Sequence, residues 1–326
     1  MPKKPVVLLT HKLPEDWIGS SLENFEVIVG QSNNRGIDKK LASHLDQTSG
    51  IICLLDDPIP AEVITQAKNL KVISNMAVGV DNIDLNVCTS LGIPVGHTPG
   101  VLTDGTADLT VALLLAVCRK IGTASEDARQ GRWKNWDPTG WLGIDLKDAT
   151  VGIVGLGKIG SAVAERLGAF GTRLIFANRS PLPEMEKRLG ATQVSLDDLI
   201  TSSDIICLHL PLTADTVDLM DAAAFQKMKP TAILINAARG PVVNTQALLE
   251  ALQTGQIRAA GLDVTDPEPL PPDHALYQLV NCLITPHIGS ATHNTRKTMA
   301  DIAIRNLIAG IDGLPLPFCA NPEVYS

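Results

Sequence analysis

Aromatic residues are scarce in this chain, at 3% of 326 positions, and no apolar run approaches the roughly 18 residues that a bilayer-spanning helix needs. The longest, residues 111–117, is too short to cross a membrane and reads as part of a buried helix. Basic residues are not in excess. Lys and Arg number 27 against 35 Asp and Glu, for a net charge of -8, which argues against nucleic acid, whose phosphates call for a basic face. The N-terminus passes from Lys3 and Lys4 straight into an apolar stretch, without the longer segment and small-residue cleavage site of a signal peptide. None of the six cysteines forms a C-x-x-C pair, and Cys53 and Cys207 lie inside apolar runs. Buried free thiols in a reducing compartment are therefore expected, and no metal site. Internal repeats and low-complexity tracts are missing as well. These absences describe a soluble cytoplasmic protein with no membrane or nucleic-acid partner.

The length suggests two domains, on a prior of about 100–200 residues each, and 45% hydrophobic residues supply two cores. Short apolar runs alternate with helical patterns almost throughout, the mark of a parallel α/β architecture. Strands are expected at 6–9, 26–29, 50–55, 71–74 and 93–95, with helices at 38–45 and 61–68 between them. A second series of six follows at 150–154, 173–177, 204–210, 231–236, 259–264 and 282–285. Another helix is expected at about 292–311. The reading is two Rossmann-like, doubly wound parallel-sheet domains: a flavodoxin-like substrate domain and a dinucleotide-binding domain with a cleft between them. Residues 1–100 form the first part of the substrate domain, 101–286 the dinucleotide-binding domain, and 287–326 a C-terminal return. Two crossings would make a hinge, with the cleft as the ligand site.

One stretch carries the most information. The apolar run Val151–Val154 breaks into Gly155-Leu156-Gly157-Lys158-Ile159-Gly160 and then into a helix with apolar Ile159, Val163, Leu167 and Phe170. The first glycine makes the tight turn, the second lets backbone approach a pyrophosphate, and the third lets helix pack on strand. The helix N-terminus then presents free N–H groups and a positive dipole end to phosphate. The next strand ends in Asn178-Arg179-Ser180, where an NAD site would place an acid on the ribose 2′-hydroxyl. A guanidinium and a hydroxyl instead of that charge suit a 2′-phosphate, so NADP, as NADPH, is expected in preference to NAD. The bland reading is an ordinary polar strand-end turn.

Reducing a carbonyl beside a nicotinamide requires a cation to hold and polarise the substrate, an acid to deliver a proton, and a partner that keeps that acid protonated. Three strand ends supply them: Arg239 in Asn236-Ala237-Ala238-Arg239-Gly240, Glu268 in the loop after Asp263, and His287 in Thr285-Pro286-His287. Each taken alone has a structural explanation; their placement after consecutive strands brings them to one edge. His209 also ends a strand, and the His209-Leu210-Pro211 turn reads better as a wall of the nicotinamide pocket than as a proton donor. Trp133, Trp136 and Trp141 form a cluster that either packs on a core or subunit interface or sends an indole, Trp141, into a substrate pocket.

The glycine loop, the Ala237-Ala238-Arg239-Gly240 turn, Leu262-Asp263-Val264-Thr265-Asp266-Pro267-Glu268-Pro269-Leu270 and Thr285-Pro286-His287-Ile288-Gly289-Ser290 together resemble the D-isomer-specific 2-hydroxyacid dehydrogenase family, from about Val6 to the end. The resemblance implies that Arg239 binds and polarises a 2-oxoacid, that His287 is the acid/base, and that Glu268 pairs with His287, stabilising imidazolium and keeping its proton available. Residues 73–84 and 98–108 look most like the glyoxylate/hydroxypyruvate reductases. By that likeness the Val78 and Gly79 N–H groups bind the substrate carboxylate, Thr106 lies near the nicotinamide-side phosphate, and Asp263 near the carboxamide. Ala237, Ala238, Gly289 and Ser290 join the cofactor contacts. Phosphite dehydrogenases carry a lysine in the loop that here reads Ala77-Val78-Gly79, and D-lactate enzymes differ just before it. His293 stands where relatives often carry an acid or amide. A homodimer is implied, and the richly apolar helix at 106–120 is compatible with packing across subunits. Some relatives with this fold are co-repressors, so a dinucleotide-sensing interaction protein is the alternative reading.

Overall fold

The computed structural model describes residues 3–31 and 34–326. Met1 and Pro2, where the reading of the N-terminus for a leader begins, lie outside the described residues. The chain divides into two compact units, one running to Leu102 and joined by Thr292–Ser326, the other spanning Thr103–Ala291.

The first unit holds five parallel strands, β1 (Val6–Leu9), β2 (Glu26–Val29), β3 (Thr48–Cys53), β4 (Val72–Asn75) and β5 (Val95–Gly96), in the order β2-β1-β3-β4-β5. That is the flavodoxin-like order. Alternate side chains go to opposite faces of a strand. Val6, Leu8, Ile51, Cys53 and Ile73 pack into one core. The opposite face takes the long helix His293–Ile311, whose Ala303 carbonyl accepts from Ser74 Oγ at 2.8 Å. The approach is close because Gly310 has no side chain: a Cβ there would lie 2.4 Å from the Val72 Cβ. The helix expected at 38–45 is shorter. Asp38 caps a single turn, Lys39–Ala42, and a 3-10 turn follows at Leu45–Gln47. Ser43 and His44 return their side chains to the Lys40 carbonyl, which competes with continuing the helical ladder.

The second unit holds seven parallel strands where six were expected: β6 (Thr150–Val154), β7 (Arg173–Ala177), β8 (Thr192–Gln193), β9 (Ile205–Leu208), β10 (Ile233–Asn236), β11 (Ala259–Leu262) and β12 (Cys282–Ile284). The addition, β8, is two residues long and leaves no alternating pattern to read. The order is β12-β11-β10-β9-β6-β7-β8, and the switch point between β6 and β9 is where such sheets bind ligands. Ile206, Leu208 and Leu234 face one core and Ile205, Cys207, Ile233 and Ile235 the other, as expected of a sheet covered by helices on both sides. Phe170 departs from expectation. The glycine-loop helix is Lys158–Gly168, and Phe170 lies beyond it, 42% exposed. His287–Ala291, assigned by the sequence reading to the C-terminal return, group instead with this unit. Three of their N–H groups end on Asp263: that of His287 on its carbonyl, those of Ile288 and Gly289 on its carboxylate.

All six cysteines are free, four of them buried. Among the described residues no helix is long and apolar enough to cross a membrane, and no group of three His, Cys, Asp or Glu is placed to hold a metal ion.

Candidate active site

The glycine loop leaves β6 at the switch point. Gly155 has φ +92, and a Cβ there would sit 2.5 Å from the His209 carbonyl oxygen; one on Gly160 would sit 2.2 Å from the Gly155 carbonyl oxygen. These two glycines are required by the protein's own packing. Gly157 is different. A Cβ on it would meet nothing within 4 Å, so the space it leaves is open. Gly157 is also the N-cap of Lys158–Gly168, and no side chain caps that helix. The N–H groups of Lys158, Ile159 and Gly160, behind Leu156, are thus placed to receive a phosphate. Thr106, on the helix Thr103–Cys118, lies beside Gly289. That helix is tied to the glycine-loop helix by Arg166, which donates to Asp108 at 2.6 Å and Asp104 at 3.0 Å.

At the end of β7, Asn178 is half-buried and Arg179 and Ser180 are exposed. Gln193 of β8 holds the turn. Its Nε2 donates to the carbonyls of Asn178 (3.1 Å) and Ser180 (3.2 Å), while its Oε1 accepts from the Leu182 N–H at 3.0 Å. Gln193 is not legible as a site residue in the sequence, since nothing in its neighbours marks a partner fifteen positions away. At the end of β9, both ring nitrogens of His209 are buried with no hydrogen-bond partner. Burial lowers its pKa to about 4, so the ring is neutral at ordinary pH. A buried imidazole with unmet nitrogens and a cradle that only a glycine leaves open both fit a bound dinucleotide.

The remaining strand ends build the polar cluster. Asn236, wholly buried at the end of β10, accepts from the Ala238 N–H and donates to the Arg239 carbonyl at 2.9 Å, fixing the turn through Ala237. Arg239 Nη1 donates to the Ala238 carbonyl at 2.9 Å. Gly240 admits the neighbouring loop: a Cβ there would overlap the Thr265 carbonyl at 1.8 Å. After β11, Asp263 is 2% exposed and accepts from the Ile288 N–H, the Gly289 N–H and Thr285 Oγ1, all at 2.7–2.8 Å. Burial outweighs those donors and raises its pKa above the usual carboxylate value.

His287 adopts φ +51, a left-handed conformation that costs a non-glycine residue energy. Its N–H is held by the Asp263 carbonyl at 2.9 Å. Its Nδ1 stands 2.6 Å from Glu268 Oε1, and Glu268 Oε2 accepts from the Thr265 N–H at 3.2 Å. The carboxylate thereby takes Nδ1, which leaves Nε2 as the ring atom for other work. Both side chains are about a quarter exposed, 23% for His287 and 28% for Glu268. The second unit thus carries the glycine loop, the strand-end turns and Ser290, and joins Thr106, Asp263, Glu268, His287 and Gly289 through direct contacts.

Val78 and Gly79 belong to the first unit, in the loop after β4. Trp141 is not among the residues brought to His287. It adopts φ +50, donates from Nε1 to Asp127 Oδ2 at 2.7 Å, and lines a separate cavity of about 660 Å³ at the opposite ends of the strands, beside Arg258, Ala259 and Cys282. The substrate contact expected of it is therefore not made within this unit. A tryptophan in a loop gives no sign of which end of the sheet it will reach.

Comparison with known proteins agrees with this geometry. Residues 111–289 match the D-isomer specific 2-hydroxyacid dehydrogenase NAD binding domain. The chain is 42% identical to a glyoxylate reductase of Thermococcus onnurineus over 99% of this chain and 98% of that one. It is 48% identical to the human glyoxylate reductase/hydroxypyruvate reductase over 86% of each. An NADPH-dependent glyoxylate/hydroxypyruvate reductase from Sinorhizobium meliloti, solved with NADP and malonate, superposes with a TM-score of 0.86 at 31% identity, covering 98% of both chains. The dinucleotide-sensing alternative finds no support in these likenesses. The chain belongs to the D-isomer specific 2-hydroxyacid dehydrogenase family and is an NAD(P)-dependent dehydrogenase.

Proposed function

We propose that the enzyme reduces glyoxylate and hydroxypyruvate to glycolate and D-glycerate, with NADPH in preference to NADH and His287 as proton donor. The observation that carries this reading is the Glu268–His287 pair at 2.6 Å, mounted on a strained turn that buried Asp263 anchors. The reduced nicotinamide, when bound, supplies the hydride. Leu156 to Gly160, Thr106, His209 to Pro211, Ala237 to Arg239, Asp263, Gly289 and Ser290 are the residues proposed to hold the cofactor, with Asn178, Arg179 and Ser180 at its 2′-phosphate. Arg239 binds the substrate and draws electron density towards the carbonyl oxygen. The Val78 and Gly79 N–H groups take the carboxylate. The Nε2–H of protonated His287 delivers its proton to the carbonyl oxygen as the alcohol forms, and Glu268 stabilises the ring while it carries that proton.

Steady-state rates with glyoxylate, hydroxypyruvate and pyruvate, each with NADPH and with NADH, test the assignment. Higher kcat/KM with NADPH, and for the first two acids, is expected; equal or better rates with NADH would remove the 2′-phosphate reading of Asn178-Arg179-Ser180. His287→Ala should lose roughly 10²–10⁴-fold, as general acids do, and a smaller loss would remove it as donor.

A cytoplasmic homodimer completes the reading. Trp133 and Trp136 are 65% and 82% exposed in the loop that runs to Trp141 and the apolar cavity, so a second copy offers the same exposed indoles to the same cavity, as two-fold interfaces require. Light scattering of the eluted protein should give twice the chain mass, and Trp136→Ser should lower it.

A further inference from the structure

The loop after β4 is held by side chains whose arrangement leaves little freedom. Three successive carbonyls each accept a hydrogen bond: Ala77 from the Thr98 N–H at 2.8 Å, Val78 from His97 Nδ1 at 3.0 Å, and Gly79 from Asn75 Nδ2 at 2.9 Å. In a trans peptide the C=O and the following N–H point in opposite directions. Fixing these carbonyls therefore fixes the N–H groups of Val78, Gly79 and Val80 in turn, each directed away from the donor that holds its own peptide. Successive N–H groups held in this way are the elements of an anion-binding nest.

Behind the loop lies an amide relay whose orientation is forced. Asn82 Nδ2 stands 3.0 Å from the Leu54 carbonyl and 2.8 Å from the Asp57 carbonyl. Carbonyl oxygens only accept, so the Asn82 nitrogen must face them and its Oδ1 must face Asn75. Asn75 Nδ2 then donates to that oxygen at 2.9 Å and, with its second hydrogen, to the Gly79 carbonyl. Asn75 is 0% exposed, and its own Oδ1 accepts from the Cys53 thiol at 3.5 Å. Every polar atom of this buried amide has a partner, and one of those partners is the loop. His97 works from the other side. Because a carbonyl accepts, the hydrogen must be on Nδ1, so the ring acts as a donor to Val78.

We propose that His97 and Asn75, seated on Asn82, are positioning residues for the substrate carboxylate: His97 fixes the peptide that carries the Gly79 N–H and Asn75 fixes the one after it, so that Gly79 is held on both sides with its N–H set to receive the carboxylate. The inference rests on the reading above that this loop is the carboxylate receptor. Neither residue acts on substrate directly; each acts through the loop backbone.

The test uses the whole enzyme with glyoxylate, with oxalate as an unreactive dicarboxylate of similar shape, and with NADPH binding followed by nucleotide fluorescence. Asn75→Ser and His97→Ala are each expected to raise the KM for glyoxylate and the inhibition constant of oxalate roughly ten-fold, the effect of about one hydrogen bond. The Kd for NADPH should stay within about two-fold, since one hydrogen bond to the loop leaves the cofactor contacts untouched. His97→Asn, whose amide nitrogen can take the place of Nδ1, should recover most of the loss. A merely structural role would instead lower Tm with no selective loss of carboxylate binding. Half-buried His97 keeps the test usable if Asn75→Ser folds poorly. Val78→Pro, which deletes an N–H outright, separates the two ways to fail. If it leaves the glyoxylate KM and the oxalate constant alone, the carboxylate binds elsewhere and both readings fall. If it raises them while Asn75→Ser and His97→Ala do not, the receptor stands and the positioning role is overturned.

Discussion

Two glycines three residues apart should respond to the same substitution in opposite ways. Gly157→Ala adds a Cβ that meets nothing within 4 Å, at an N-cap whose φ of −75 any residue adopts. Two small terms then oppose each other. Alanine restricts the unfolded chain, worth about 0.4–1 kcal/mol, but caps a helix less well than glycine by about as much. The ligand-free protein should therefore keep its Tm to within about 2 °C, the size expected of a residual of some 0.5 kcal/mol in a domain of this size. The dinucleotide should feel the change instead. A methyl group in the cradle moves phosphate away from the helix N-terminus, and charge-assisted hydrogen bonds there contribute about 1.5–3 kcal/mol, so NADPH affinity should fall roughly 10- to 150-fold. Gly160→Ala places its Cβ 2.2 Å from the Gly155 carbonyl oxygen. Backbone must move, at a cost typical of overpacking, about 1–3 kcal/mol, and the ligand-free Tm should drop by several degrees. Thermal unfolding without ligand, paired with NADPH titration, separates the two. A Gly157→Ala protein with unchanged NADPH affinity would refute the assignment of the cradle. One with a markedly lower ligand-free Tm would show that protein, not ligand, fills the space.

Arg239→Lys should raise the KM for glyoxylate and lower kcat while NADPH binding stays near wild type, because an ammonium lacks the planar fork that holds two oxygens together; an unchanged kcat/KM would take Arg239 out of the site. Glu268→Gln keeps a hydrogen-bonding partner for His287 and removes the charge beside it, so kcat for reduction should fall roughly ten-fold or more while NADPH binding and Tm stay near wild type. A lowered Tm with unchanged kcat would leave Glu268 as a brace for its loop. His209 carries a stability prediction: burial lowers its pKa in the folded chain to about 4, below the ordinary imidazole value of 6.5, so the unfolded chain binds the proton first. Stability is full above pH 6.5 and declines by about 3 kcal/mol as the pH falls to about 4, a loss His209→Gln should abolish in ligand-free unfolding curves measured at pH 7.5 and 5.

The parts of this site that the sequence displayed are those whose physical requirement is local. A glycine at each of positions 155, 157 and 160 follows from one turn, one open cradle and one helix–strand contact, all within six residues. The ends of β10, β11 and β12 were legible for a related reason: in a parallel sheet, consecutive apolar strands deliver their next residues to the same edge, so Arg239, Asp263 and His287 had to come together. The amides were not legible. Asn82 and Gln193 hold carbonyls that only tertiary folding brings within reach, while Asn75 and Asn236 reach carbonyls three or four residues on, and an asparagine in a turn has many ordinary uses. The two-residue strand β8 was invisible too, although it carries the glutamine that clamps the turn after β7. Trp141 shows the limit from the other side, since a residue type suited to a substrate pocket went to the far end of the sheet.

Asp263 shows why this edge is built around a carboxylate that burial disfavours. His287 holds a left-handed backbone while its ring meets Glu268, and such a residue persists only where its surroundings over-determine it. Asp263 provides that constraint from one position. Its carbonyl takes the His287 N–H, and its two carboxylate oxygens take the next two N–H groups along the chain and the Thr285 hydroxyl before it. An asparagine could accept at only one side-chain oxygen and would turn an N–H towards other N–H groups. The carboxylate's raised pKa is the energetic trace of that burial, and the return is a histidine held in one orientation by backbone alone. The Glu268–His287 pair can then be set by its own 2.6 Å contact, which engages Nδ1 and leaves Nε2 clear of that carboxylate.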